Sequence, residues 1–405
     1  MSQQGTPPLK TYFDELEETN GDDECKAWLN SLFDAKDELA AFVAGRRIGG
    51  RSNAKYVGYL KGSFNFSFHF SFDDGLSDVI IRFPKPGHTA TAFRDEKVVN
   101  EVQIMEYLRE NTDIPIPRVH SWGLTAESPQ HLGPFIIMDY VKGTLLSTIL
   151  KQPDQETMVL NPDIDYATLD KIYYQIASCE WNVTGRPLTY NMNKLATDSG
   201  YPVDQFPTAP FDRTSDYLSS IAKEHLTHLW TQRNIVDDER TAQKRFIVRH
   251  QFAKLIPKYY PEDSGLFIPF CDDMRPSNML IDPETLQITA VLDFEYTNAM
   301  PAEFTYDPPW WLLLSGPEMW LERGAKEEFL TLYKPRMEQF VQALQRVEVE
   351  VALKGQRRGK DPLSIRMLDS WRLGDFGLTM RRERALMLTL SIGLRYMMAV
   401  RVLSC

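Results

Sequence analysis

The stretch FIPFCDDMRPSNMLID, residues 267–282, runs apolar, turns polar and runs apolar again. Between the two apolar runs stand Asp272, Asp273, Arg275 and Asn278. After a turn at ETLQ (284–287), the segment ITAVLDFE (288–295) delivers another carboxylate, Asp293. Two short apolar runs separated by turn residues predict a polar loop that opens into a β-hairpin. Cys271 stands at the edge of that loop.

Asp273 and Asn278 have the spacing of the Asp and Asn in the kinase catalytic loop, H-R-D-x-x-x-x-N. Spacing alone decides nothing, because Asp95 and Asn100 repeat it within a run of helical periodicity. The setting separates the two, since only the second pair is followed by a hairpin that ends on a further acid. In phosphoryl transfer one carboxylate orients and deprotonates the attacking hydroxyl, while an Asn and a second Asp hold magnesium against the phosphates. Asp273 is the candidate base, and Asn278 and Asp293 are the candidate metal ligands. Arg275, two residues past the base, is the candidate for offsetting charge in the transition state.

Working upstream, phenylalanines stand at 64, 66, 68, 70 and 72 with Ser, Asn or His between them. Period two predicts a strand with one buried face. DDG (73–75) turns the chain, and DVIIRF (78–83) reads as the return strand. The turn before it, around Gly62, Ser63 and Phe64, suits a close backbone approach to phosphates. Arg82 stands where a kinase strand carries V-A-I-K, and Glu101, on a helix predicted over 93–110, is its candidate partner. A short buried strand over 133–141 follows, whose Asp139 and Val141 are candidates for offering main-chain groups to a nucleotide base. From about 144 onward, helix patterns dominate, over 165–182, 213–233, 237–258, 317–346 and after 364, and the shift in composition near 142 is the candidate lobe boundary. An amphipathic helix is predicted over 24–44. GRRIGGRS (45–52) has nearly the spacing of a phosphate loop, but Arg51 replaces its Lys and no strand precedes it, so it reads as a helix-ending turn. Residues 199–212 form a Pro-rich loop and 351–363 a basic one.

These motifs together resemble the aminoglycoside phosphotransferase and choline kinase-like family of small-molecule kinases, in its fungal branch. The resemblance is carried by GSFN (62–65), VIIRFPKPG (79–87), NEVQIMEYL (100–108), IPIPRVHSWG (114–123), LGPFIIMDYVKG (132–143), DDMRPSNMLID (272–282) and VLDFEYTNAMPAEF (291–304). It implies an α+β, two-lobed protein-kinase-like fold that binds ATP and magnesium between its lobes. The expected division is an N-terminal helical extension (1–54), an N-lobe with an antiparallel sheet and a helix (55–141), a mainly helical C-lobe (142–350) and a C-terminal helical tail (351–405). The resemblance also gives Asp307, in TYDPPWW (305–311), a supporting role beneath the catalytic loop. The chain departs from the family where Cys271 replaces a scaffold His and Asp272 adjoins Asp273.

The chain has 405 residues, a net charge of −11 and 43% hydrophobic content. That balance describes a folded protein and argues against a general nucleic-acid binder, which needs a basic face. Cys25, Cys179, Cys271 and Cys405 show neither metal spacing nor a disulfide framework. The acidic N-terminus has no apolar core of the kind a signal peptide needs. The apolar run at 385–394 is about ten residues, short of the roughly 20 that span a bilayer, and reads as a buried helix. The sequons at Asn65 and Asn182 carry no weight without secretion. The expectation is a cytoplasmic ATP- and magnesium-dependent kinase with a small-molecule hydroxyl acceptor, and no membrane partner. The alternative is a nucleotide-binding or scaffolding protein without transfer activity, which the Cys271-Asp272 pair favours.

Overall fold

The structure is a computed structural model that describes residues 14–49, 53–177, 187–198, 200–231, 238–260, 267–271, 273–354 and 362–373. The expected readings at Asp272, Cys179, Cys405, Asn182, the run at 385–394 and most of the basic loop lie outside these residues.

The first layer is a five-stranded antiparallel sheet, in the order β1-β2-β3-β5-β4. Its strands are β1 (Lys55–Lys61), β2 (Asn65–Ser71), β3 (Val79–Pro84), β4 (Val119–Gly123) and β5 (Phe135–Asp139). The alternation read from the sequence governs its two faces. Phe66, Phe68 and Phe70 are almost wholly buried and share one core with Val79, Ile81, Phe83, Phe135 and Ile137. Burial of each such ring contributes about 1.5–3 kcal/mol. That face is covered by α1 (Asp14–Asp34) and α2 (Lys36–Arg46) through Leu32, Leu39 and Val43. Trp28 packs edge-on against Phe66 and Phe83, and its indole N–H donates to the Leu132 carbonyl at 2.6 Å. Gly21 of α1 lies so close to Gly87 that a Cβ on it would come within 2.6 Å of the Gly87 oxygen. Only glycine permits that approach.

The opposite face carries Ile136 and Met138 of β5, which belong to the larger core. α3 (Thr91–Asn111) crosses there. It buries Val98, Val102, Met105 and Leu108 at helical spacing, together with Lys97 and Glu101.

The chain then passes through β6 (Thr144–Leu145), α4 (Leu146–Leu150), α5 (Tyr166–Ala177) and α6 (Tyr190–Asp198) to α7 (Thr214–Thr231) and α8 (Glu239–Tyr259). β7 (Phe267–Cys271) pairs antiparallel with β10 (Thr297–Pro301). Between them, β8 (Met279–Ile281) and β9 (Ile288–Val291) form the hairpin expected from the sequence, with β6 on its outer side. α9 (Pro317–Glu322), α10 (Lys326–Leu353) and α11 (Leu363–Leu373) complete the described chain. Tyr173, Tyr333, Trp311 and Phe340 lie in the core that α10 closes over α5 and the hairpin. The expected α+β, two-lobed arrangement is therefore present, with a small antiparallel sheet on one side and helices with short hairpins on the other.

Several elements differ in detail from the sequence expectation. The helix expected over 24–44 begins ten residues earlier and breaks at Ala35 into two. The helix expected over 317–346 is interrupted near Gly324, whose φ of +71° ends a right-handed run. β4, β10 and α6 have no clean period in sequence. VHSWG does not alternate, and TNAMP is buried at every position because both of its faces are covered. Arg47, in the Gly-rich turn after α2, pairs with Asp74 at 2.6 Å, donates to the Ser77 carbonyl and stacks on Phe72. The turn at 47–49 thus closes the helix, as expected. Among the described residues, no helix is long and apolar enough to cross a membrane.

Candidate active site

The loop after β7 is built by its own backbone. The Met274 N–H donates to the Cys271 carbonyl at 3.3 Å, and the Asn278 N–H donates to the Arg275 carbonyl at 2.9 Å. The Asn278 side-chain amide donates twice to Asp273, once to its backbone oxygen and once to Oδ2, both at 2.9 Å. Arg275 turns back onto the same residue, its Nε 2.9 Å from Asp273 Oδ1. Both partners are more than a third exposed, so this contact orients more than it stabilises. Arg275, Asp273 and Asn278 therefore form one local unit. The Leu292 N–H donates to the Asn278 carbonyl at 2.8 Å, which fastens this loop to the segment carrying Asp293.

Asp293 has a φ of +66°. A non-glycine residue in that region is uncommon and costs free energy unless its surroundings hold it there. Here the surroundings are Arg82 and α3. Arg82 Nη1 lies 3.5 Å from Asp293 Oδ1, and Arg82 Nη2 is ion-paired with Glu101. Glu101 Oε1 also accepts from the Phe294 N–H at 3.2 Å. Arg82 is 9% exposed and Glu101 2%. Enclosure works against the Arg82 charge, but Glu101, Asp293 and Glu295 outweigh it and raise its pKa. For Asp293, enclosure pushes the carboxyl well above the usual carboxylate range, Glu295 pushes it further and Arg82 opposes.

A second ion pair lies beside the first. Lys97, one helical turn before Glu101, is ion-paired with Glu295, and Asn65 joins both of them. The cluster holds two cations, Arg82 and Lys97, against three carboxylates, Glu101, Asp293 and Glu295. With all five ionised, one negative charge is in excess. The sequence reading found Arg82, Glu101 and Asp293 but missed Lys97, Asn65 and Glu295. The available signals were a Lys four residues before the helix Glu and an acid two residues past the strand Asp.

The turn between β1 and β2 closes with the Gly62 N–H donating to the Asn65 carbonyl at 3.0 Å. Lys85 braces it, its N–H donating to the Phe64 carbonyl at 2.7 Å and its ammonium to the Gly62 carbonyl at 2.9 Å. A Cβ at Gly62 would meet the Asn65 oxygen at 3.5 Å and its nitrogen at 4.0 Å, ordinary van der Waals contacts, so the fold does not require glycine there. Ser63 is exposed, whereas the Phe64 ring packs edge-on against Tyr190 and Tyr296.

Asp139 and Val141 lie at the other end of the sheet, after β5. The Asp139 carboxylate takes His120 at 2.9 Å, and its N–H donates to the Arg118 carbonyl at 3.0 Å. That N–H is thus committed to the chain leading into β4. Next along, the Tyr140 ring stacks on His69 at 3.9 Å. Asp307 accepts a hydrogen bond from Ser370 of α11.

The donor set suits magnesium. Asn278 and Asp293 carry hard oxygen atoms of the kind magnesium takes. Among the described residues no group of three or more His, Cys, Asp or Glu side chains could hold a metal. Magnesium commonly takes one or two carboxylates together with phosphates and waters.

A small sheet with a crossing helix, joined by one strand to a helical region with a D-x-x-x-x-N loop, defines a kinase-like fold. No family model matches the chain. It is 22% identical over 271 residues to the Clavilactone A biosynthesis cluster protein Y of Ampulloclitocybe clavipes, spanning 61% of this chain and 62% of that protein. It is also similar to a putative aminoglycoside phosphotransferase from Ralstonia eutropha (15% identity, 85% of this chain, 97% of that one, TM-score 0.44). A choline kinase from Cryptosporidium parvum is similar at 13% identity, covering 87% of this chain and 95% of that one, with a TM-score of 0.44. An aminoglycoside phosphotransferase from Streptomyces rimosus, in complex with ADP and streptomycin, is 16% identical over 76% of this chain and 98% of that one, with a TM-score of 0.35.

Proposed function

We propose that this chain is a phosphotransferase that moves the terminal phosphoryl group of ATP, with magnesium, onto a hydroxyl of a small molecule. The observation that carries this reading is the meeting of Arg82, Glu101 and Asp293, tied through Leu292 to the loop that holds Asp273 and Asn278. A purely structural hairpin has no need of a left-handed aspartate at its end facing a buried strand arginine.

In this reading Asp273 takes the proton of the acceptor hydroxyl, and the Asn278 amide holds that carboxylate in orientation. The Asn278 Nδ2 hydrogens are committed to Asp273, so its Oδ1 would be the ligand atom, with Asp293 supplying a carboxylate. Bound magnesium would offset phosphate charge as the phosphoryl group transfers. Arg82 grips phosphate, and Glu101 fixes the direction of the guanidinium. Gly62, Ser63 and Phe64 offer the turn backbone to phosphates. Glycine at 62, where the local conformation does not require it, is consistent with a close approach from outside. Arg275 exchanges its hold on Asp273 for the transferred group as charge builds. The carbonyl of Asp139 and the main chain at Val141 receive the base. The N-lobe of this reading is 55–141 and the C-lobe 142–350, with 1–54 and 351–405 as extensions, and the enzyme works in the cytoplasm.

Two measurements test the reading. Thermal melts with ATP, with and without magnesium, should show magnesium-dependent stabilisation. Its absence would favour a protein that has the fold without the chemistry. A screen of hydroxylated metabolites for ADP release, with Asp293→Ala as the blank, identifies the acceptor.

A further inference from the structure

Lys97 is a lysine that α3 does not need for packing. It is 1% exposed, in a helix whose other buried positions are apolar except for Glu101 one turn on. Removing an ammonium group from water costs several kcal/mol even after the surroundings relax, and apolar side chains of similar volume often replace buried ion pairs without loss of stability. The charge is held from several sides. Glu295, 6% exposed, is its ion-pair partner. Asn65 Oδ1 accepts from it at 3.1 Å. The rings of Phe64 and Tyr296 stand 5.9 and 5.6 Å from the ammonium, within cation–π range. Asn65 closes the triangle by donating from Nδ2 to Glu295 Oε2 at 2.7 Å.

The partners come from separate parts of the chain. Asn65 is also the residue whose carbonyl closes the Gly62 turn. Glu295 lies two residues past Asp293, and Lys97 lies one helical turn before Glu101. The two ion pairs therefore run in parallel between α3 and the segment 293–296. The first adds β3 through Arg82, and the second adds the turn through Asn65.

We propose that Lys97, with Asn65 and Glu295, is a positioning device that locks the Gly62–Asn65 turn to the Asp293 segment, so that phosphate grip and metal carboxylate are held in one register. This deepens the phosphotransfer reading and rests on it. Lys97 touches neither nucleotide nor acceptor and acts through the turn. A lysine serves where an apolar residue would fill the space, because its ammonium reaches the turn through Asn65 and the acidic segment through Glu295 at once.

The test uses the full chain and the double variant Lys97→Met/Glu295→Gln. That variant removes both charges together and avoids leaving Glu295 buried alone, as Lys97→Met by itself would. Lys97→Arg, which keeps the cation, is the conservative control. Binding of MgADP and of adenosine is measured in each protein, with amide exchange across residues 60–66. In the double variant MgADP should bind at least tenfold more weakly while adenosine stays within twofold. The Gly62 amide should exchange faster, and Lys97→Arg should recover part of the MgADP affinity. Unchanged MgADP affinity in the folded double variant, or an equal loss for adenosine, overturns the proposal. A wild-type protein that binds no MgADP overturns the phosphotransfer reading instead. The exchange data then still decide the lock, which falls if the turn amides behave alike in all three proteins.

Discussion

Arg82 on β3 and Asp293, 211 residues later in the chain, meet with Nη1 3.5 Å from Oδ1. The contact joins the sheet to the end of the β8–β9 hairpin, with Glu101 held on the other side of the same guanidinium. Arg82→Ala would leave Glu101 enclosed without its counter-charge. Breaking a buried pair in this way costs about 3–5 kcal/mol. Urea unfolding of Arg82→Ala beside wild type reads this loss, and Arg82→Lys should recover part of it. Equal midpoints for wild type and Arg82→Ala would show that the pair adds nothing to the fold.

Asp273→Ala should leave the loop intact, because Asn278 keeps its hydrogen bond to the residue 273 backbone oxygen. Removal of a general base lowers turnover by about 10²–10⁴. The expected outcome is MgADP affinity within threefold of wild type and a loss of ADP release with a verified acceptor. Retained turnover would remove Asp273 from the mechanism.

Cys271 stands where the family resemblance expects a histidine, yet its backbone serves the loop. Its carbonyl accepts from Met274, and it pairs with Thr297 across the β7–β10 ladder. Cys271→Ser preserves both contacts. MgADP affinity and turnover should stay within about threefold, since removing a determinant of loop geometry would cost more than the roughly 1 kcal/mol of an ordinary hydrogen bond. A tenfold loss of turnover would give the side chain itself a role.

Glu224 and His225 are adjacent on α7 and buried, and their effects on stability oppose each other with pH. Burial pushes the Glu224 carboxyl up to about 7 and His225 down to about 3. A raised folded-state pKa means that the folded protein holds the proton more tightly. Its stability contribution is therefore complete below the ordinary glutamate range and lost as pH rises through about 7. For His225 the sign reverses, and stability is lost as pH falls below the ordinary imidazole value near 6.5. Glu224→Gln removes the first effect alone. The variant should exceed wild type in stability at pH 8, by up to about 3 kcal/mol for a shift of that size. The advantage should fade as pH falls towards 5. Chemical denaturation at both pH values measures it, and a difference independent of pH would mean that Glu224 is ionised in the fold.

The sequence by itself determined the local parts. Period two in NFSFHFS marked β2 and its buried face, because alternation is a property of the strand backbone and appears wherever one face is covered. The polar loop at 271–278 and its hairpin were legible for a similar reason, since turn residues and short apolar runs are local signals. Arg82, Glu101 and Asp293 were readable only through their order. The hairpin after Asp273 already set the two D-x-x-x-x-N matches apart in sequence, and the tertiary structure shows what each aspartate holds. Asp95 is occupied by the Thr125 backbone and hydroxyl, at 3.1 and 2.6 Å, whereas Asp273 is held by Asn278. Only the tertiary structure found Lys97, Asn65 and Glu295, which lie in unrelated stretches and become one site through burial. A lysine on a helix reads as solvated until something covers it. The cover here is supplied by a turn 32 residues earlier and a carboxylate nearly 200 residues later, at separations no periodicity reports.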